Sequence, residues 1–371
     1  MMHNNRLFET FRQLTSVYSP TFGEGEFCGL VKDKLTALGL DWEEDDAGAQ
    51  IGGDCGNLYA WLPGALPGDP LLFSAHLDTV EPAKGKEAVL HPDGRITSRG
   101  DTILGADDVS GIAIILEALA RLQETGTPHR AIELLFPVAE ERYGLGSVIA
   151  DYGKLRAREA YVLDLSGHIG EAANAAPTLL SFTATVQGRA AHAGFAPGDG
   201  IHAISAAARA IAAIPMGEPE PGVTCNIGVI SGGEAGNIVP ERCTVQGEIR
   251  SLSHSAALAW LERVRATFEQ EARQLGAAVT FDHQCRITAY ETPMDSAVVR
   301  RFQRACQGAG VPCDIHSTLG GSDNNHYAQH GIAGLVLACS MHEVHSTRES
   351  ASLPELEQCV RLVMELMTAA E

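Results

Sequence analysis

The chain has 371 residues, and 27 Lys and Arg set against 47 Asp and Glu give it a formal charge of −20. That charge argues against nucleic acid and anionic membranes as partners, since both are polyanions. With 45% hydrophobic and 20% charged residues, the composition excludes wholesale disorder. No stretch approaches the ~18–20 uncharged apolar residues of a membrane span, and the best run, Ile112 to Ala120, contains Glu117. Met1 to Phe11 has no basic-then-apolar pattern, so no secretory signal is expected and the expected location is cytoplasmic. Nine cysteines without a C-x-x-C spacing predict buried free thiols in a reducing cytosol.

In chain order, Ser19-Pro20-Thr21-Phe22-Gly23 is a turn cluster, and Glu24 to Leu38 has helical periodicity ending at Gly39. Leu71 to Ala75 reads as a short buried strand leading into His76-Leu77-Asp78. A hairpin signal at His91-Pro92-Asp93-Gly94 precedes a helical segment, Asp107 to Leu122. Strand-like runs at Ala131 to Val138 and Glu159 to Leu163 flank a helix around Gly146 to Tyr152. This alternation predicts a mostly parallel α/β sheet covered on both faces. From Pro177 the texture changes. Leu179 to Gln187, Val223 to Ile230, Arg242 to Ile249 and Ala278 to Arg286 are strand-like, with helices at Ile201 to Ile214 and Ser253 to Leu275. The order β-α-β-β-α-β is that of a ferredoxin-like unit. It is inserted, because α/β alternation resumes from Met294.

Five spots bear acids or histidines, most of them following strand-like runs. His76 and Asp78 share a face of an extended backbone, where the carboxylate can orient the imidazole toward a metal; a solvent-facing polar turn is the plainer reading. Asp107 and Asp108 open a helix, where acids commonly cap. Glu140 and Glu141 leave a buried strand as neighbouring like charges, which repel unless a cation or proton intervenes. Asp164 ends another apolar run, and Met341-His342-Glu343-Val344-His345-Ser346 follows the strand Ala333 to Ala338. Together they gather where α/β sheets collect ligands, outside the carboxyl ends of the strands. Mixed imidazole and carboxylate donors suit zinc, with manganese or cobalt as substitutes.

With these motifs the chain resembles the peptidase T branch of the dinuclear zinc exopeptidases, which also include carboxypeptidase G, aminoacylase and succinyl-diaminopimelate desuccinylase. The resemblance rests on His76-x-Asp78, Gly105-Ala106-Asp107-Asp108, Glu140-Glu141, Asp164, and His345 followed by Ser346 and Glu349. It extends to Ala191-His192-Ala193-Gly194, Asn226-Ile227-Gly228, Asn237-Ile238-Val239-Pro240 and Arg250. It implies two Zn2+ per chain, bridged by Asp107, with His76 and Asp164 completing one site and Glu141 and His345 the other. Glu140 would be the general base acting on a water between the metals, and Asp78 would orient His76. His342, three residues before His345, is left outside the ligand set with His316, His326 and His330. The chain departs from the family pattern at Val109 and at Arg142-Tyr143-Gly144, neither of which is a ligand position.

The implied layout is a catalytic α/β domain in two pieces, 1–177 and 288–371, around a lid and dimerisation domain at 178–287, with a homodimer formed through the latter. His192, Asn237, Arg250 and Gly321 are the expected substrate contacts. His192 would act as an oxyanion donor once the lid closes, Arg250 as a fork for a substrate carboxylate, and Gly321 as a place of close backbone approach. A turn histidine and a rim salt bridge are the plainer readings of His192 and Arg250. The expected substrate is a di- or tripeptide with a free N-terminus. The alternatives are an N-acyl-amino-acid amidohydrolase or carboxypeptidase on the same metals, and a non-hydrolytic metal-binding clamp, which would have no use for Glu140.

Overall fold

The structure, a computed structural model, describes residues 2–369, with side chains from Arg6 onward. It divides into two compact units. The first comprises the chain up to Ala175 together with Glu291–Thr318 and the segment from Ser322 onward; the second comprises Ala176–Tyr290 and Leu319–Gly321.

At the centre of the first unit the strands Ile132–Phe136, Leu71–Ser74, Glu159–Leu165 and Ala333–Ala338 lie side by side and parallel. Antiparallel neighbours, Leu58–Leu62 on one side and Glu171–Ala176 on the other, extend the sheet. Every residue of Leu71–Ser74 and Ile132–Phe136 is buried, as expected of parallel strands covered on both faces. Their side chains alternate between two cores. Leu71, Phe73, Leu134, Phe136, Tyr161, Leu163, Leu335 and Leu337 join the core that also holds the helices Ala106–Thr125 and Leu353–Thr368. Leu72, Leu135, Ala160, Val162 and Val336 face the other, against Tyr59 and Tyr327. Glu117, inside the apolar run of Ala106–Thr125, is buried and neutralised by Arg6 at 2.8 Å and Arg121 at 2.7 Å.

The helix expected around Gly146 to Tyr152 is shorter than its pattern suggests. Only Leu145–Val148 is α-helical, and a separate 3-10 turn covers Tyr152–Lys154. The Asp151 side chain accepts the Gly153 N–H at 3.0 Å, so it starts a new turn instead of continuing the old one.

In the second unit the strands Val223–Gly232, Arg242–Ser251, Thr178–Gln187 and Ala278–Ile287 pair antiparallel in that spatial order, which is ferredoxin-like. A short edge strand, Gly217–Glu220, was not apparent in the sequence. Leu180, Phe182, Ala184 and Val186 turn alternate positions toward the helices Ala203–Ala213 and His254–Gln274. The first helix answers with Ala203, Ala206, Ala207 and Ala210, one stripe at helical spacing. Ser253 caps the second by accepting the Ala256 N–H. All nine cysteines are free thiols; seven are buried, and Cys285 and Cys313 are exposed. Among the described residues no helix is long and apolar enough to cross a membrane.

Candidate metal centre

The parallel strands of the first unit deliver their following residues to one edge of the sheet. Leu71–Ser74 runs into His76, Ile132–Phe136 into Glu140 and Glu141, Ala333–Ala338 into the loop bearing His345, and Asp164 lies near the end of Glu159–Leu165. Asp107 comes from the start of Ala106–Thr125, where the backbone is not helical: Asp107 and Asp108 have ψ of 101° and 34°. Two further residues take left-handed backbone, Ala139 at φ 53° before Glu140 and His345 itself at φ 59°. Non-glycine residues adopt this region at a cost, and such positions concentrate at functional sites.

Asp107 stands between two imidazoles. Its Oδ1 lies 3.0 Å from His76 Nε2, and its Oδ2 lies 3.2 Å from His345 Nε2. Asp164 Oδ1 is 3.9 Å from the same nitrogen of His76, and Glu141 Oε1 is 3.0 Å from His345 Nε2. Donor atoms of His76, Asp107 and Glu141 lie within 4.8 Å of one another, as do those of His76, Glu140 and Asp164. On its other side His76 Nδ1 meets the Asp78 carbonyl at 2.9 Å and Asp78 Oδ1 at 3.4 Å. A proton held there on Nδ1 leaves Nε2 with its lone pair toward the cluster.

The electrostatics are those of carboxylates crowded out of water. Burial pushes Glu140 and Asp164 well above the usual carboxylate range, and their neighbours add to it, Asp164 acting on Glu140 and Asp107 on Asp164. Burial also raises Glu141, partly offset by its hydrogen bond to His345. Asp107 runs the other way: burial opposes its charge, yet the two imidazoles hold it well below its ordinary value. His345 is raised to about 10 by its hydrogen bonds to Asp107 and Glu141. Burial disfavours the charged form of His76, but Asp107 and Asp78 raise it well above the imidazole range. So many acids hold their charge together only with protons or cations among them. Oxygen and imidazole donors without a thiolate fit borderline or hard divalent cations. A third acid cluster, Glu24, Asp54 and Cys55, is already used structurally: Glu24 accepts the Ala139 N–H at 3.0 Å and Asp54 the Gly25 N–H at 2.8 Å.

Several residues support the cluster in ways the sequence did not show. Asp108 points away from Asp107 and its carboxylate accepts the His76 N–H at 3.1 Å and the Gly111 N–H at 3.2 Å. Glu24 braces Ala139, the strained residue ahead of the acid pair. Asp323, at the start of the helix Asn324–Gln329, makes no capping bond; it is buried, and burial pushes it up to about 6. The motif Gly105-Ala106-Asp107-Asp108 marked Asp108 without giving its part in holding the His76 backbone, and nothing local marks Glu24. His342 pairs with Glu355 at 2.6 Å, outside the cluster. Val109, where the chain departs from the family pattern, is buried in the apolar core.

The expected substrate contacts lie in the second unit. His192 Nδ1 accepts the backbone N–H groups of Gly194 and Phe195, each at 3.1 Å, which leaves the ring proton on Nε2 as a donor. The Asn237 carbonyl accepts the Ala193 N–H at 3.0 Å. Arg250 is engaged: Nε donates to Glu248 at 2.8 Å and Nη1 to the Leu319 carbonyl at 2.9 Å, two residues before exposed Gly321.

Two family models match the chain, "Peptidase family M28" over residues 57–170 and "Peptidase dimerisation domain", of the M20 peptidases, over residues 174–275. The M28 match stops before His345, whereas full-length relatives span the whole arrangement. The uncharacterized protein YqjE of Bacillus subtilis is 34% identical over all of both chains. The crystal structure of aminopeptidase PepT from Bacillus cereus is 36% identical over 98% of each chain, with a TM-score of 0.92. That of a tripeptidase from Staphylococcus aureus is 30% identical over 99% of this chain and 98% of the other, with a TM-score of 0.96. The cluster around Asp107, the ferredoxin-like second unit and this full-length similarity identify the chain as a peptidase T-like member of the M20 metallopeptidase family.

Proposed function

We propose that the chain is an aminopeptidase of di- and tripeptides that works with two zinc-type ions per chain. His76, Asp107 and Asp164 would hold one ion, and Glu141, Asp107 and His345 the other. The observation that carries this reading is the placing of the two Asp107 oxygens, one against each imidazole. When bound, such ions supply Lewis-acid polarisation of a scissile carbonyl and acidify water.

The chain's own residues supply the rest. Glu140, half-buried among acids and raised well above an ordinary carboxyl, suits proton transfer from water to the leaving amine. Asp78 accepts the Glu140 N–H at 2.8 Å and faces His76 Nδ1, so one side chain sets both the base and a ligand. His192 would donate from Nε2 to the developing oxyanion, with Asn237 holding its loop. Arg250, with Gly321 near its Leu319 anchor, would take the substrate carboxylate. The excess of carboxylates would hold the substrate ammonium, and a grip on both ends limits length. The matched dimerisation model supports a homodimer formed through residues 178–287.

The Bacillus cereus relative is named an aminopeptidase and the Staphylococcus aureus one a tripeptidase, which supports the N-terminal and tripeptide parts of this reading. The test is hydrolysis of di-, tri- and tetrapeptides beside their N-acetylated and C-amidated forms. Free di- and tripeptides should be cleaved best, and N-acetylation should cost about 2 kcal/mol of transition-state binding or more. A preference for N-acylated amino acids would move the assignment to an amidohydrolase or carboxypeptidase with the metal chemistry unchanged.

A further inference from the structure

At the opposite end of the parallel strands from the metal cluster lies a cavity of about 640 Å³, lined by Pro67, Gly68, Glu159 and the arginines Arg130, Arg300, Arg301 and Arg304. The register fixes its place. Leu71 pairs with both Ile132 and Glu159, so Glu159, Arg130 and the Pro67-Gly68 loop meet at the amino ends of three neighbouring strands. The other three arginines, Arg300, Arg301 and Arg304, come from Ala297–Ala309, whose first turn also opens there.

The charge is unbalanced. Four guanidiniums face one carboxylate, in a protein whose formal charge is −20. Glu159 is already shared, at 3.1 Å from Arg301 Nε and 3.8 Å from Arg130 Nη1. Arg301 spends Nη1 on the Ala369 carbonyl at 2.8 Å, and Arg130 donates to the Asp69 carbonyl. Arg130 is 4% exposed, yet its buried Nε has no hydrogen-bond partner among the described residues. Burying a guanidinium donor without an acceptor is costly, more so beside a second arginine. Gly68, at φ 115°, lies so close that a Cβ there would sit 3.0 Å from Arg130 Nε. Arg300 and Arg304 remain exposed at the mouth; Arg300 donates from Nη1 to the Asp295 carbonyl, which leaves its other guanidinium donors to meet a ligand.

We infer that this cavity is a binding site for a small organic phosphate, separate from the peptidase centre. Guanidinium forks match phosphate oxygens two at a time, the helix start adds positive potential, and the volume suits a small metabolite better than a bare ion. The site has a direct connection to the chemistry. The strand that begins at Glu159 ends at Asp164 and Leu165, and the strand after Arg130 leads to Glu140. A ligand that ties Arg130 to Arg301 therefore rests on the strands that present the metal cluster.

The experiment is calorimetric titration of the metal-loaded full chain with pyrophosphate, a sugar monophosphate and citrate at constant ionic strength, repeated with R300Q/R304Q. That variant leaves the buried trio of Arg130, Glu159 and Arg301 in place, and a thermal melt checks its fold. Saturable binding of the phosphates, weakened tenfold or more in R300Q/R304Q with peptide hydrolysis in the absence of added anion unchanged, is the expected result. Equal affinity in both proteins would put the anion at the metal cluster and overturn the proposal. So would heats no larger than those of sodium chloride, or binding of citrate alone.

Discussion

Glu349 holds Asp107 by its backbone: Glu349 Oε1 accepts the Asp107 N–H at 3.0 Å, and its other oxygen takes the Gly105 N–H at 2.6 Å. A carboxylate on one loop thus sets the position of the residue between the two imidazoles. Glu349→Ala strands both buried donors and should cost about 2 kcal/mol or more of stability. Metal affinity should fall about 10- to 100-fold, as it does when an outer support of a metal ligand is removed. Glu349→Gln keeps one acceptor and should fall between. Metal titrations and melts of both variants check the order; equal affinity in Glu349→Ala and wild type would remove Glu349 from this role.

Glu140 and Glu141 are neighbours that should fail differently. Glu140→Gln removes the base while His76, Asp107, Glu141, Asp164 and His345 remain, so metal content should persist as turnover falls by about 10²–10⁴. Glu141 contacts His345 at 3.0 Å, and Glu141→Gln should lower metal occupancy first. Elemental analysis beside single-substrate kinetics separates the two. Full activity in both variants would dismiss the pair.

His192→Ala should lower turnover without stripping metal, because the lost group is a donor and not one of the proposed ligands. Arg250→Lys should raise the Michaelis constant, most for tripeptides, since an ammonium cannot reproduce the guanidinium fork. A His192→Ala protein that lost its metal would put this residue among the ligands.

Removing metal should make stability depend on pH in a defined direction. Glu140, Glu141 and Asp164 are raised above ordinary carboxyls, and His345 is raised to about 10. For each of these the folded chain binds protons that the unfolded chain has released. Their stabilisation is present below the unfolded values, about 4 for the acids and about 6.5 for His345. It is lost as pH rises through the folded values. Asp107 is lowered, so its contribution is lost only in strong acid. The melting temperature of chelator-treated protein should fall between about pH 5 and pH 9. Restored zinc should raise it most at the alkaline end, and chelation should abolish hydrolysis. A metal-free melting temperature that climbs with pH would contradict the reading of the cluster.

Much of this molecule is written locally. Short, nearly continuous apolar runs such as Leu71–Ser74 and Ile132–Phe136 need no distant partner to declare themselves buried strands. The alanine stripe of Ala203–Ala213 likewise declares its helix. Most of the acid- and histidine-bearing spots were visible because they follow such a run, Asp107-Asp108 because it opens a helix, and together they resembled one family. Other features depend on residues far apart in the chain. Asp107 and Asp108 are adjacent and alike, yet one faces two imidazoles while the other holds the His76 backbone. That division is set by where His76 and His345 arrive, 31 residues before and 238 after Asp107. Glu24 braces Ala139 from 115 residues away, and Arg130 reaches Glu159 only because parallel pairing aligns the starts of their strands. Periodicity records which way a side chain turns relative to its own backbone; which other side chain it meets is decided by packing, and that exists only once the sheet is assembled.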